Sequence, residues 1–479
     1  MSSCYLCVGT IFVSRKMANM KVEIISRETI KPSSPTPPQQ RTFEVSLLDQ
    51  LSPSIYVPII FYYPISEGHH NVNQISDRLK DSLSKTLSRF YPLAGRIKDH
   101  ASIDCNDEGA LFSEAQVNCH LSEVLKDPKT DLLDQFLPCS IFPMVPLNDV
   151  VQVAVQLNIF ASGGIAIGLC FFHEIVDGAT MSAFVKCWAA ITRGSYDEAA
   201  YPDCFVASKL FPPIESMTGN VSLLNESWVI KPGKGVRRRF VFDAAAISAL
   251  KAEATSQLVP TPSRFEVVSS FIWKSALAAS RSALGSQHQQ PSILSFSVDM
   301  RRRMEPPLSE KCTGNLAWQA LAHRAAPQGD ETDLQGSVSR FREAVAKINN
   351  DFVQTLQNGE RFQVICKFKE EQEEMYPDTK PEMYVFTSWC KFGFNEVDFG
   401  WGKPIWVSNI GGDTNPIYVN TVTLMDTSCS DGIEAWMLLN EKVMAILENN
   451  PEFCAVASLN PSISNQSALS ERITLPSLA

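Results

Sequence analysis

Two neighbouring stretches near the middle of the chain carry its clearest hydrophobic pattern. Val151, Val153, Val155, Leu157 and Ile159 alternate with Gln152, Ala154, Gln156 and Asn158. A period of two with one polar face predicts a half-buried β-strand. Ser162-Gly163-Gly164 is a turn signal. Ile165 to Phe172 is almost wholly apolar, which predicts a central strand covered on both faces. That run ends at His173. Beyond Gly178, Phe184, Trp188 and Ile191 recur at helical spacing, and Gly194 terminates the helix. His173 therefore stands where a buried strand gives way to a loop and a helix, a junction that holds side chains rigidly at the edge of a sheet.

Similar patterns organise the rest. Ile75, Leu79, Leu83 and Leu87 predict one helix, stopped at Pro92. The prolines of 31–38 impose an extended lead-in. From about Pro202 to Lys234 periodicity fades, which predicts a crossover between two domains. Arg239 to Phe242 reads as a strand, with Asp243 as the N-cap of the next helix. Helices are expected at about 244–255, 263–283, 333–357 and 431–448. There is no internal repeat. Residues 1–19 read as an extension and 463–479 as a loose tail.

Length and composition narrow the classes. A chain of 479 residues suits two domains, and 44% hydrophobic with 20% charged residues describes a globular protein with a core. A net charge of −10 argues against nucleic acid. Arg237–Arg239 and Arg301–Arg303 are isolated runs; the first reads as a solvated strand edge rather than a phosphate site. The apolar stretch from Tyr5 to Val13 is too short to span a bilayer and has the wrong charge order for a signal peptide. Thirteen cysteines lack regular spacing, and Cys4-x-x-Cys7 has no second pair to complete a zinc site. Cys170 and Cys187 read as buried free thiols. A reducing, cytoplasmic setting, a monomer and no membrane partner are expected.

The candidate chemistry lies in two strings. His173-Glu174-Ile175-Val176-Asp177-Gly178 offers a base, but H-x-x-x-D alone is weak, since His100 to Asp104 also fits and reads as solvated surface. A core histidine tied to a carboxylate is an equal reading of His173. Two ligands are too few for a metal, and none is expected. Asp398-Phe399-Gly400-Trp401-Gly402 contains D-F-G, but no glycine-rich loop, V-A-I-K strand or H-R-D loop accompanies it, and G-x-S-x-G is absent. Its glycines suit a structural turn around Trp401.

Taken with further strings, these carry a resemblance. They include Phe90-Tyr91-Pro92-Leu93-Ala94-Gly95-Arg96, Val298-Asp299-Met300-Arg301-Arg302-Arg303, Pro306-Pro307-Leu308 and Gly314-Asn315. Thr387-Ser388-Trp389 begins eleven positions before Asp398. From about Met20 to residue 460 the chain resembles the plant BAHD family of acyl-coenzyme A-dependent acyltransferases. Its opening, Ile24 to Pro38 and then Leu48-Asp49-Gln50-Leu51-Ser52, is most similar to the alkaloid O-acetyltransferases of that family.

The resemblance implies an α/β fold of two similar-sized chloramphenicol-acetyltransferase-like domains with mixed sheets and helices, and a channel at their interface. It places residues 20–205 and about 398–418 in the first domain, 206–235 in a crossover linker, and 236–397 with 419–462 in the second. It implies His173 as general base, and Asp177 turned away from the channel toward Arg301, the pair with Gly178 supporting the catalytic loop. Thr387 and Trp389 would stabilise the oxyanion. Asp398, Gly400, Trp401 and Gly402 would be structural. Ser263, at a helix start, has two readings, a coenzyme contact or a plain N-cap. The implied reaction is acetyl transfer from acetyl-CoA, a co-substrate rather than a bound cofactor, to a hydroxyl of a specialised metabolite such as an alkaloid. The alternatives are an aromatic acyl donor, an amine acceptor, or a catalytically silent metabolite binder. One departure stands out: many members carry a small polar residue before the histidine, where this chain has Phe172.

Overall fold

The computed structural model describes residues 20–65, 72–161, 163–198, 205–217, 221–284, 290–325, 333–409 and 416–463. The expected extension 1–19, with its Cys4-x-x-Cys7, and the expected tail beyond 463 lie outside the described residues. Two mixed sheets dominate the fold. The first contains β1 (Val22–Ile30), β2 (Tyr56–Tyr63), β3 (Ala110–Val117), β4 (Val153–Phe160), β5 (Ile165–Phe172) and, from far along the chain, β10 (Trp406–Ser408). The second contains β6 (Gly235–Phe242), β7 (Ser292–Asp299), β8 (Ala317–Arg324), β9 (Glu382–Ser388), β11 (Thr421–Asp426), β12 (Ile433–Asn440) and β13 (Ser458–Leu459). The orders are β1-β3-β4-β5-β2-β10 and β8-β7-β9-β11-β12-β6-β13. Each sheet has its own buried apolar cluster, giving a two-domain α/β fold.

The central-strand reading holds. β5 lies between β4 and β2, and all eight of its residues are buried. The helix Val72–Arg89 (α2, after the short α1, Leu47–Gln50) buries Ile75, Leu79, Leu83 and Leu87. It packs on α3 (Gly178–Arg193), which ends at Gly194 with φ +80°. The Trp188 indole N–H donates across that seam to the Leu79 carbonyl at 3.1 Å and the Ser82 hydroxyl at 3.0 Å.

Four expectations are corrected. β4 is not half-buried: Gln156 and Asn158 are covered, because the segment over them supplies partners. Gln156 Nε2 donates to Gln135 O, and Asn158 Nδ2 to Phe136 O. The helix foreseen at 431–448 is strand β12 followed by Glu441–Leu447, since pairing with β11 and β6 on both sides overrides the helix-forming composition. The helix foreseen at 333–357 is two, Leu334–Ala346 and Asn350–Gln357, the second capped by Asn349. Arg237–Arg239 is not a solvated edge. β6 is paired on both sides, and Arg239, fully buried, meets Glu434 through Nε at 2.9 Å and Nη2 at 3.1 Å. Within the expected crossover, Phe211 and Leu223 enter the second core.

β10 ties the two sheets together. Trp406 stacks on Tyr62 of the first sheet at 4.8 Å and on Trp436 of the second at 5.8 Å, with the Arg239 guanidinium over its ring at 5.2 Å. Trp406→Ala should lower the unfolding free energy by about 3–5 kcal/mol, measured by urea denaturation. An unchanged midpoint would show that this aromatic stack does not join the domains.

Candidate active site

His173 follows β5 directly. Its backbone N–H donates to Ile55 O at 2.9 Å. The next turn is built around Asp177, which caps α3 by accepting from Thr180 N at 2.8 Å. Asp177 also accepts from Leu316 N at 3.1 Å and, bidentately, from Arg301 Nη1 at 2.6 Å and Nη2 at 3.2 Å. Arg301 is buried and additionally donates to Cys312 O and Gly314 O. Both oxygens of Asp177 are thus occupied, and neither faces the imidazole. Burial opposes the Asp177 charge, but Arg301 and the donors outweigh it and hold the carboxyl below its ordinary range.

The ring has a different partner. His173 Nδ1 lies 3.1 Å from Asn315 Oδ1. The Asn315 Nδ2 donates to His173 O at 2.8 Å, Glu174 O at 2.8 Å and Asp49 Oδ1 at 3.0 Å. With three oxygens around Nδ2, the amide oxygen must be the end that faces the ring. Nδ1 therefore carries the hydrogen and Nε2 the lone pair. Nε2 has no partner among the described residues and is not among the buried unpartnered atoms, so it reaches solvent; the residue is half-buried. Burial lowers the His173 pKa below its usual 6.5. Glu174 is pushed up to about 7, chiefly by burial and also by Asp49.

The other expected residues fall in place around this turn or away from it. Gly178 leaves no room for a side chain, since a Cβ there would lie 2.5 Å from the Phe392 ring. Thr387, next to last in β9, is half-buried, and Trp389 is buried with its ring 5.9 Å from Phe394. Neither the Thr387 hydroxyl nor the Trp389 N–H has a partner among the described residues. Phe392, in the loop after Trp389, accepts from Ser182 Oγ at 2.7 Å, so this loop lies on the first turns of α3. Asp398 Oδ1 accepts from Gly400 N at 2.6 Å and Gly402 N at 2.9 Å, and both glycines have positive φ. Trp401 stacks on Phe399 at 5.7 Å. Arg193 at the far end of α3 donates to Asp398 O. A 16-residue helix is about 24 Å long, which sets this turn well away from His173. Ser263 caps the helix Arg264–Leu284, in a reciprocal box with Glu266. Phe172 is buried edge-on against Tyr56 at 5.4 Å, within the first core. His100 is exposed, as expected.

Asn315, Asp49 and Glu174 were not singled out as site residues. Asn315 lies 142 positions from His173, and a Gly-Asn pair in a loop carries no sign of such a contact. No group of His, Cys, Asp or Glu among the described residues could hold a metal ion. No described helix is long and apolar enough to cross a membrane. The nine free described cysteines include Cys170 and Cys187, as expected.

His173 thus lies where the two domains meet, its Nδ1 held by Asn315 and its Nε2 without a partner among the described residues. Comparison with known proteins gives the class: residues 20–454 match the family model described as "Transferase family". The chain belongs to this family, the BAHD acyltransferases, and is an acyltransferase. It is 39% identical to a limonoid 7-O-acetyltransferase of Citrus sinensis, over 92% of this chain and 99% of the relative. It is 36% identical to stemmadenine O-acetyltransferase of Catharanthus roseus, over 90% and 97%. The crystal structure of vinorine synthase is similar at a TM-score of 0.77 and 33% identity, covering 93% of this chain and all 100% of that one.

Asp177→Ala and Arg301→Ala should each destabilise by about 3–5 kcal/mol in urea denaturation, and the double variant should lose far less than the sum. Additive losses would refute the coupling. A depressed folded pKa contributes stability above the unfolded value and loses it as pH falls through the folded one. The wild-type advantage over Asp177→Ala should therefore persist through neutral pH and shrink only below about pH 4.

Proposed function

We propose that this enzyme transfers an acetyl group from acetyl-CoA to a hydroxyl of a plant specialised metabolite, with His173 as general base. The observation that carries the reading is the Asn315–Nδ1 bond, which leaves Nε2 unpartnered and open. The acceptor hydroxyl gives its proton to Nε2 as its oxygen bonds to the thioester carbonyl carbon. The tetrahedral oxyanion is met by the Thr387 hydroxyl and the Trp389 indole N–H, both without protein partners among the described residues. The carbon–sulfur bond then breaks, and Nε2 returns the proton to the leaving thiolate. No acyl-enzyme and no metal take part. Asp177, Gly178 and Arg301 hold the loop. Asp398, Gly400, Trp401 and Gly402 form a structural turn. Ser263, at the start of the helix Arg264–Leu284, we assign to the coenzyme.

The relatives named as O-acetyltransferases support acetyl as donor group and oxygen as acceptor, and the two names point to limonoid-like or alkaloid alcohols. Incubation with acetyl-CoA and pools of such alcohols, read by thiol release and product mass, tests this. His173→Ala should cut turnover by about 100-fold or more. Persistent turnover in that variant removes His173 from the role, and turnover only with an aromatic donor or an amine replaces the donor or acceptor.

Because the His173 pKa is lowered, kcat/KM should be flat around pH 7 and fall on an acid limb below 6.5. Glu174, at about 7, is the competing titration. Glu174→Gln should leave that limb in place, and a limb that vanishes with it belongs to the carboxyl instead.

A further inference from the structure

The bond that fixes the His173 ring is itself held from behind. Of the three oxygens around Asn315 Nδ2, two are backbone carbonyls of the His173 loop, and the third belongs to Asp49. The same Asp49 Oδ1 accepts from the Asn315 backbone N–H at 2.8 Å. Its other oxygen is filled by Ser46 N at 2.8 Å and Ser46 Oγ at 2.7 Å. Asp49 is 1% exposed and Asn315 3%, and no described cation pairs with the carboxyl. A turned-over Asn315 would press its amide oxygen against this carboxylate in a buried site and point an NH2 group at Nδ1. That exchange is unfavourable because the two backbone carbonyls and the Asp49 carboxylate all present acceptors to the Asn315 amide.

We propose that Asp49 is a positioning residue of the reaction. Acting through Asn315, it fixes the Nδ1–H tautomer of His173 and keeps the Nε2 lone pair available. The inference rests on the reading of His173 as general base. Asp49→Asn preserves size but replaces one acceptor oxygen with a donor, so one of the three acceptors that hold the Asn315 amide is lost and its bias is weakened.

The test pairs kinetics with ring spectroscopy. In long-range 1H–15N spectra of protein labelled with 15N-histidine, the wild-type His173 signal, identified by its loss in His173→Ala, should be the Nδ1–H form. Asp49→Asn should populate the Nε2–H form and lower kcat by about 10- to 100-fold, with KM for acetyl-CoA within about twofold. Ser46→Ala, which removes only the helix-cap side of Asp49, should lower Tm and leave kcat and tautomer unchanged. If Asp49→Asn behaves like Ser46→Ala, Asp49 is a helix cap and the inference is overturned. If Asp49→Asn does not fold, the wild-type spectrum decides, because an Nε2–H ring in the unmodified protein overturns it equally. Full activity in His173→Ala would instead sink the base assignment, which separates the two failures.

Discussion

The site depends on one buried cation. Arg301 sits between the sheets and touches Asp177, Asp299, Cys312 O and Gly314 O. A guanidinium out of water is tolerated only when its donors are used, and here the carbonyls and carboxylates that use them come from both sides of the interface. Asp177 completes the clamp by capping α3 and accepting Leu316 N. The loop 312–316 is thereby pinned over the strand-to-helix turn. Asn315 reaches the His173 ring only because its neighbours are held in this way.

Helix α3 is gripped at both ends. At the start, Asp177 caps it and Gly178 lets the Phe392 ring lie against the backbone. At the finish, Arg193 donates to Asp398 O, and the Asp398 turn packs Phe399 against Trp188 at 4.9 Å. Tyr63 joins that cluster and donates its hydroxyl to Val397 O at 2.9 Å. The second signature string therefore reaches the first through the length of a helix rather than by contact. Its glycines matter because the amides of Gly400 and Gly402 must both turn onto one carboxylate oxygen.

Local patterns were legible where burial alone decided them. The apolar run of β5, the four-residue spacing of Ile75 to Leu87 and the stop at Gly194 each have one physical reading, and the structure bears it out. Legibility failed where a distant segment supplied the partner. Gln156 and Asn158 look solvated until 135–136 covers them, and Arg239 looks like an exposed charge until Glu434 meets it. The strand 433–440 is rich in helix formers, and only its two neighbours in the sheet make it extended. The same limit hid Asp49 and Asn315, whose contacts to each other span 266 positions.

The separation of Asp177 from the ring has a chemical consequence. In a triad the carboxylate both orients the imidazole and compensates the charge it gains. Here the carboxylate beside the histidine is neutralised by Arg301, and a neutral amide does the orienting. Burial lowers the pKa of the ring, outweighing its own backbone carbonyl, Asp177 and Asn315, which all favour the protonated form. A base of that kind stays unprotonated at neutral pH and gives up its proton readily, which suits the proposed return of the proton to a departing thiolate. The Asp49 carboxyl lies one hydrogen bond further back, behind Asn315. It biases the amide without pairing with the imidazolium, so orientation and basicity are set by different residues.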